Sequence, residues 1–270
     1  MIDGTGRSLI IAHRGARSLA PENTLVAART AHGVGADMWE TDVAVTADDQ
    51  LVLMHDDSMM RTTDVADRFP DRVPAPFTTY TLAEIRSLDA GSWFERDDPF
   101  GEINAGTVEP SELAKYRGAQ VPTVREAFEV TLELDWYLNL ELKAQPAPKD
   151  SFAVVGAVLD LAEEVGIGPD HLLFSSARLP WLQALRRRRP DFTVQAVLGL
   201  FPEDPMDFTA PFVDAYNPRL ERTSLGEIEA LTTRGINVNP YTVNDSETIS
   251  ALIEIGVNGI ITDYPQRGAR

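Results

Sequence analysis

Short apolar runs that end in polar residues recur along the chain, and each has the length and composition of a β-strand. Amphipathic segments with the period of a helix lie between most of them. The candidate strands are residues 9–13, 37–43, 51–56, 137–143, 171–176, 193–199, 212–218, 236–244 and 258–265. The clearest candidate helices are residues 123–130, 151–166, 178–189 and 246–256.

Alternation of strands and helices is typical of a parallel sheet covered by helices. At 270 residues, with about eight such units, the pattern favours a closed (β/α)8 barrel, an α/β fold, over an open doubly wound sheet. We expect the whole chain, residues 1–270, to form one domain of this kind. Nine candidate strands compete for eight places, so at least one is misread or lies outside the barrel.

The joint between the second and third candidate strands is TADDQ, residues 46–50. A parallel crossover needs about a dozen residues or more, so these two runs are predicted to form an antiparallel hairpin. A turn at this position places Glu40 roughly opposite His55. Strand alternation puts Glu40 and Asp42 on one face, a spacing that suits two carboxylates converging on one cation.

Residues 57–121 form the longest stretch without clear strand periodicity, and they are rich in Pro, Asp and Gly. One piece, TLAEIRSL at residues 81–88, has a helical pattern. A plain connection of this length is uncommon, which favours an inserted segment that caps one end of the barrel and helps to define its pocket. A mobile acidic loop is the alternative interpretation.

Two of the four histidines, His13 and His55, each close an apolar run and precede a charged residue. Because the carboxyl ends of the strands form the active face of barrel enzymes, these two are the candidate catalytic residues. We interpret His32, in a helix-like segment, and His171, at the start of a strand, as structural or exposed.

Glu141 and Lys143 share one face at the end of the LNLELK strand. If Glu141 meets Glu40 and Asp42 in one pocket, the three carboxylates repel one another unless a cation neutralises them. Oxygen donors favour one divalent cation, Mg²⁺ or Ca²⁺, over structural zinc. Such an ion, together with Arg14 and Lys143, would make a pocket that attracts anions, which points to a phosphate ester.

Two histidines beside a phosphodiester can serve as general base and general acid, because an unperturbed imidazole titrates at about pH 6.5. This chemistry requires no protein nucleophile. The sequence contains neither the G-x-S-x-G elbow of serine hydrolases nor the G-x-x-x-x-G-K-[ST] phosphate loop.

The formal charge of −18 disfavours nucleic acid as a partner, and the basic run Arg186 to Arg189 reads as the end of a helix. The chain has no cysteine, so disulfides and thiolate metal sites are excluded. No apolar run is long enough to cross a bilayer, and no export signal is readable at the start, so we expect a cytoplasmic protein. Nothing in the pattern indicates an oligomeric state.

The ordered motifs of the chain resemble those of a known family, the glycerophosphodiester phosphodiesterases. They follow one another in the family's order and spacing over nearly the whole length. The motifs are IAHRGA with PENT, WETDVAVTADDQLVLMHDD, RTTD, LDAGSWF, VPTVREAF, LNLELK, PYTVND and GVNGIITDYP. The resemblance implies a TIM barrel, one divalent cation and a small-molecule substrate, a glycerophosphodiester, which is hydrolysed to sn-glycerol 3-phosphate and an alcohol. It also implies attack by the substrate's own glycerol 2-hydroxyl to give a cyclic phosphate, which water then opens.

The resemblance carries roles to individual positions of this sequence. The implied metal ligands are Glu40, Asp42 and Glu141. The implied acid and base are His13 and His55, with roles that exchange between the two steps. The implied substrate-binding residues are Arg14 and Lys143 on the phosphate, with Glu22, Asn23 and Tyr241. Glu22, Asn23 and Asp56 are also expected to support or orient the site.

Two positions depart from the family pattern. Ala177 replaces a common aromatic residue of the fifth-strand motif, and Tyr241 replaces a common tryptophan. These positions generally contact the glycerol or the leaving group, so the preferred alcohol is open, and Trp93, Phe94 and Tyr241 are alternatively core aromatics. The rival functions are a related lysophospholipase D, which cleaves lysophospholipids, and a catalytically silent barrel that only binds a phosphorylated ligand.

Overall fold

The structure, a computed structural model, describes residues 7–268, so most of the stretch read for an export signal lies outside the described residues. Eight strands form within that range. They are β1 Leu9–Ala12, β2 Met38–Val45, β3 Leu51–Leu53, β4 Leu138–Leu142, β5 Leu172–Ser176, β6 Val194–Leu198, β7 Ala215–Pro218 and β8 Gly259–Thr262.

Ten α-helices accompany these strands. They are α1 Leu25–Gly33, α2 Val65–Arg68, α3 Leu82–Arg86, α4 Ser92–Asp97, α5 Pro110–Tyr116, α6 Val124–Glu133, α7 Val154–Val165, α8 Leu179–Arg188, α9 Leu225–Thr233 and α10 Ser246–Ile255. The four clearest predicted helices are therefore present, with shifted ends. Three helices begin with a reciprocal Ser/Thr and Glu capping box, at Thr81, Thr123 and Ser224. The predicted basic run ends α8, where cations suit the carbonyl end.

The strands form a curled parallel sheet in the order β7-β6-β5-β4-β2-β1-β8. The gap between β7 and β8 is filled by the predicted strand 236–244, which forms only isolated bridges to β7. On one side the Asn239 amide donates to Tyr216 O at 2.8 Å, and on the other the Ile261 amide donates to Pro240 O at 3.0 Å. These bonds close the eighth position, so the predicted (β/α)8 class is confirmed.

The ninth candidate strand, β3, lies outside the barrel and pairs with β2 in the antiparallel direction. The predicted hairpin is therefore confirmed. Val43 is paired with Leu53, and the Met54 amide donates to Asp42 O at 3.1 Å. This register places Glu40 opposite Asp56, one residue away from the predicted partner.

Residues 57–121 fold into the short helices α2 to α5 and three-residue 3₁₀ turns. Their apolar side chains, which include Phe77, Tyr80 and Ile85, form a buried cluster with Ala44 and Val52 of the hairpin. A separate, larger cluster fills the space between the barrel strands and the outer helices. The first part of the segment is therefore packed against the β2 and β3 hairpin, whereas α4 and α5 contribute Phe94 and Tyr116 to the larger cluster. The prediction that the segment caps the barrel stays a prediction.

Candidate active site

Three carboxylates meet at the carboxyl ends of β2 and β4. Glu40 and Asp42 alternate along β2 on one face, and Asp42 is the register partner of Glu141 in β4. One oxygen of each carboxylate lies within 4.8 Å of the others. Glu40 and Asp42 are buried, and Glu141 is partly buried. The structure therefore brings together the three predicted metal ligands as one cluster, here called the carboxylate cluster.

Burial and mutual repulsion disfavour full ionisation of the carboxylate cluster. Burial and the neighbouring Asp42 and Glu141 raise the pKa of Glu40 well above its usual value. Burial and Asp42 likewise raise the pKa of Glu141 to about 7. Burial also opposes ionisation of Asp42, but the charges of Lys143, His55 and Arg14 hold its pKa below the usual range. Three convergent oxygen donors suit a hard divalent cation, so the residues present fit a metal ion.

Two cations flank the carboxylate cluster. The backbone amide of Arg14 donates to Glu40 Oε2 at 3.0 Å, and its Nε lies 3.6 Å from Asp42 Oδ2. Arg14 adopts φ 55°, and the next residue, Gly15, adopts φ 83°, where a Cβ would lie 2.7 Å from the Ala27 backbone. This tight turn keeps Arg14 buried beside the cluster.

Lys143 follows β4 directly and lies near the other oxygen of Asp42. Its Nζ donates to the backbone oxygen of His55 at 2.8 Å and lies 3.6 Å from Asp42 Oδ1. Arg14 and Lys143 therefore both contact the carboxylate that stays ionised.

His13 directly follows β1 and is paired with Asp263, which directly follows β8. The two strands are neighbours in register, with Ala12 beside Thr262. His13 Nδ1 lies 2.7 Å from Asp263 Oδ1. Although Asp263 is buried, His13 and Arg17 hold its pKa below the usual range, so its carboxylate accepts. Nδ1 therefore donates, and Nε2 is the nitrogen left for proton transfer. Burial and the charge of Arg14 lower the pKa of His13.

His55 lies two residues beyond β3 and is paired with the next residue along the chain. Its Nδ1 lies 2.7 Å from Asp56 Oδ1, and Arg61 Nε donates to Asp56 Oδ2 at 2.7 Å. Burial opposes ionisation of Asp56, but its bonds to His55 and Arg61 hold its pKa below the usual range. The second histidine therefore has the same arrangement as the first, with Nε2 free of the carboxylate.

Glu22 and Asn23 lie on the loop between β1 and α1. Asn23 Nδ2 donates to Asp42 Oδ2 at 3.2 Å, and its Oδ1 accepts from Thr41 Oγ1 at 2.7 Å. Glu22 is buried and bonded to three arginines, Arg14, Arg17 and Arg61. Both side chains are thus bonded to other side chains of the site. Their predicted contact with substrate stays a prediction.

The other predicted aromatic and histidine positions divide into two groups. The Tyr241 ring packs on the apolar barrel interior while its hydroxyl donates to Leu198 O at 3.2 Å, and burial and Glu141 raise its pKa. Trp93 and Phe94 are buried core residues. His32 packs edge-on against Trp136, and His171 lies 2.9 Å through Nδ1 from the Trp136 backbone oxygen. The structural interpretation of His32 and His171 agrees with these contacts.

Three residues of the site were missed by the sequence analysis: Arg17, Arg61 and Asp263. Each lies inside a motif quoted above or beside it, yet none stands out by residue type. Asp263 had a usable signal, because a barrel places the residues that follow its first and last strands side by side. The arginines had none, because many charged residues have a carboxylate about five positions away, and only the fold shows that both arginines meet at Glu22.

The fold and the site define a parallel α/β barrel with an acidic pocket, whose carboxylates fit a metal ion, bordered by two histidine and aspartate pairs. Comparison with known proteins narrows this class. The model of the glycerophosphoryl diester phosphodiesterase family matches residues 13–267. The chain therefore belongs to this family of phosphodiester hydrolases, and the prediction that it is such an enzyme is confirmed.

Individual relatives agree with this assignment over their full lengths. The YhdW protein of Bacillus subtilis (strain 168) is 30% identical, over 95% of this chain and 94% of that protein. A glycerophosphodiester phosphodiesterase of Caldanaerobacter subterraneus subsp. tengcongensis is 29% identical, over 96% of each chain. A phosphodiesterase of Oleispira antarctica, solved in complex with the product sn-glycerol-3-phosphate, is 25% identical with a TM-score of 0.76, over 97% of this chain and 95% of that one. Across residues 7–268, no helix is long and apolar enough to cross a membrane.

Proposed function

We propose that the protein hydrolyses glycerophosphodiesters to sn-glycerol 3-phosphate and an alcohol, with a divalent cation and with His13 and His55 as acid and base. The observation that carries the proposal is the pairing of each histidine with an ionised aspartate, beside one carboxylate cluster. Both imidazoles thus present Nε2, the nitrogen that can take or give a proton.

Glu40, Asp42 and Glu141 would hold the cation, Mg²⁺ or Ca²⁺. When bound, the cation supplies positive charge that stabilises the negative oxygens of the reacting phosphate. Arg14 and Lys143 bind the same phosphate directly with their side chains. Support comes from the buried Arg14 Nε, which has no hydrogen-bond acceptor among residues 7–268 and so keeps a donor for a phosphate oxygen.

The reaction proceeds in two displacements at phosphorus. In the first, one histidine accepts the proton of the glycerol 2-hydroxyl as its oxygen bonds to phosphorus, and the other protonates the departing alkoxide, which leaves as the alcohol. In the second, water attacks the cyclic phosphate, its proton passes to the histidine that acted as acid, and the other histidine protonates the 2-oxygen. Each imidazole returns to its starting state.

Residues 57–121 are proposed to cap the active face of a single domain that comprises residues 1–270. Arg61 of this segment is bonded to Glu22 on the loop after β1. Thr78 Oγ1 donates to Ala147 O on the loop after β4 at 2.9 Å. The segment therefore contacts two different loops that follow barrel strands, as a cap of that face requires.

The proposal is tested by incubating the purified protein with glycerophosphocholine, glycerophosphoethanolamine, glycerophosphoglycerol or a lysophospholipid. Each substrate is supplied with Mg²⁺, Ca²⁺ or a chelator, and sn-glycerol 3-phosphate and lysophosphatidate are measured. We expect sn-glycerol 3-phosphate, and no turnover with chelator. Turnover of the lysophospholipid alone would replace the proposal by its lysophospholipase D rival.

The two histidines are tested as single variants. His13→Ala and His55→Ala are each expected to lower kcat by at least about a hundredfold, the scale of a lost general acid or base. His32→Ala, a variant outside the site, is the matched control and is expected to keep the wild-type rate. Full activity of either active-site variant would remove that histidine from the mechanism.

A further inference from the structure

An unbroken chain of ion pairs joins the two histidine and aspartate pairs, and it passes through Glu22. From the first pair, Arg17 Nη1 donates to Asp263 at 3.2 Å and Arg17 Nε donates to Glu22 Oε2 at 2.7 Å. From the second pair, Arg61 Nε donates to Asp56 at 2.7 Å, and its Nη1 and Nη2 donate to the two Glu22 oxygens at 2.8 and 2.7 Å. Each arginine thus bonds one aspartate and Glu22.

Glu22 is buried, with 4% of its surface exposed. A fourth donor, Arg14 Nη1, completes its bonds at 2.8 Å. Burial alone disfavours its charge, but the hydrogen bond from Arg61 and the charges of Arg14 and Arg17 hold its pKa well below the usual value. Arg17 and Arg61 each bond Glu22 and one aspartate, whereas Arg14 also lies beside Asp42. Removing the Glu22 charge therefore leaves Arg17 with Asp263, and Arg61 with Asp56, as the one remaining carboxylate partner of each in this set.

The residues that form this series of ion pairs lie far apart in the amino-acid sequence. Asp263 follows the last barrel strand, Glu22 lies on the loop after the first strand, and Arg61 belongs to the segment after the hairpin. The backbone connects the two histidines through β2, which pairs with β1 on one side and with β3 on the other, but both histidines lie just beyond their own strands. The backbone thus sets their approximate separation, and the side chains between them contribute to the orientation of each imidazole.

We propose that Glu22 is a positioning residue that couples the two histidine and aspartate pairs. A change in the hydrogen bonds of one pair then alters the orientation and hydrogen bonding of the imidazole in the other pair. The inference rests on the proposed function for its catalytic meaning, since it concerns histidines that transfer protons in turn. Glu22 acts through Arg17 and Arg61 and does not touch the reacting atoms. Its carboxylate fixes both arginines, and these fix the aspartates that orient each imidazole.

The experiment uses NMR of the histidine side chains, because the chain has only four histidines to assign. Proton and ¹⁵N shifts of the imidazoles are recorded in the full-length protein without substrate. Glu22→Gln, which keeps the shape and removes the charge, is expected to shift the Nδ1 signals of both His13 and His55. The matched control is Glu133→Gln, which breaks an exposed bidentate pair with Arg29 and is expected to shift neither.

Variants of the two linking arginines, Arg17 and Arg61, test the coupling from each side separately. They also provide the test if Glu22→Gln does not fold. Arg61→Gln is expected to shift the His13 signal as well as that of His55, and Arg17→Gln is expected to do the converse. If each variant shifts only its own histidine, or if Glu22→Gln shifts one or none, the coupling does not exist.

Kinetics add a second readout. We expect Glu22→Gln to lower kcat by about tenfold to a hundredfold with a smaller change in KM, since misplaced groups affect the transition state most. A change in KM alone would place Glu22 in substrate binding and overturn the inference. If the wild-type protein proves inactive on glycerophosphodiesters, the proposed function fails, but the NMR result still decides the coupling.

Discussion

Binding of a divalent cation to the carboxylate cluster should release protons. Without a cation, burial and mutual repulsion raise the pKa of Glu141 to about 7 and that of Glu40 well above its usual value. At pH 7 Glu141 is therefore about half protonated. Because carboxylates must be ionised to bind metal, we expect Glu141 alone to release about half a proton per cation bound at this pH.

Isothermal titration calorimetry measures this release. Mg²⁺ or Ca²⁺ is titrated into metal-free protein at pH 7 in two buffers of different ionisation enthalpy, and the difference in apparent heat gives the number of protons. The apparent affinity should also rise by about tenfold per pH unit near neutrality for each proton released. Glu133→Gln, on the exposed surface, should leave both quantities unchanged.

Stability should follow the same linkage. The pKa of Glu141 is raised on folding, so its contribution is present below the unfolded value of 4.5 and is lost as the pH rises towards about 7. A shift of this size corresponds to about 3 kcal/mol. Metal-free protein should therefore lose stability over this range, and saturating cation should restore it. No proton release at pH 7, with an affinity independent of pH, would refute this reasoning.

Other variants test the scaffold and the first histidine pair. Gly15→Ala should cost about 2 kcal/mol or more in urea unfolding, because its Cβ would lie 2.7 Å from Ala27 at a positive φ, whereas Gly33→Ala, with open space, should be neutral or stabilising. Asp263→Asn should lower kcat by about a hundredfold or more, measured at steady state, because the Nδ1 proton loses its charged acceptor. Phe128→Ala, fully buried in α6, should lower the unfolding free energy by about 3 to 5 kcal/mol.

Features encoded by local sequence could be predicted well. The five residues of TADDQ are too few for a crossover, which was enough to predict the antiparallel hairpin. Alternation along β2 was enough to place Glu40 and Asp42 on one face, and the structure adds Glu141 to them. The four clearest predicted helices are present, with each end shifted by at most three residues.

Features that depend on three-dimensional neighbours could not be predicted from the pattern. The strand predicted at 236–244 is reduced to isolated bridges, although its apolar alternation resembles that of its neighbours. The bond between His13 and Asp263 spans 250 residues, and only the closure of the barrel brings the two together. Arg17 and Arg61 were not identified from the sequence, because their shared buried partner, Glu22, is recognised only in the fold. The metal identity, the cytoplasmic location and the absence of a nucleic-acid partner stay predictions.

The two histidines are attached to different parts of the fold. His13 is held in the barrel wall, where its amide donates to Thr262 O at 3.0 Å, whereas His55 extends from β3, a short strand outside the wall. The residues that follow His55 most closely, such as Met59 and Val65, pack in the cluster beside this hairpin. A change in the β2 and β3 hairpin, or in the cluster beside it, is therefore expected to move His55 relative to His13 while the barrel strands keep their pairing.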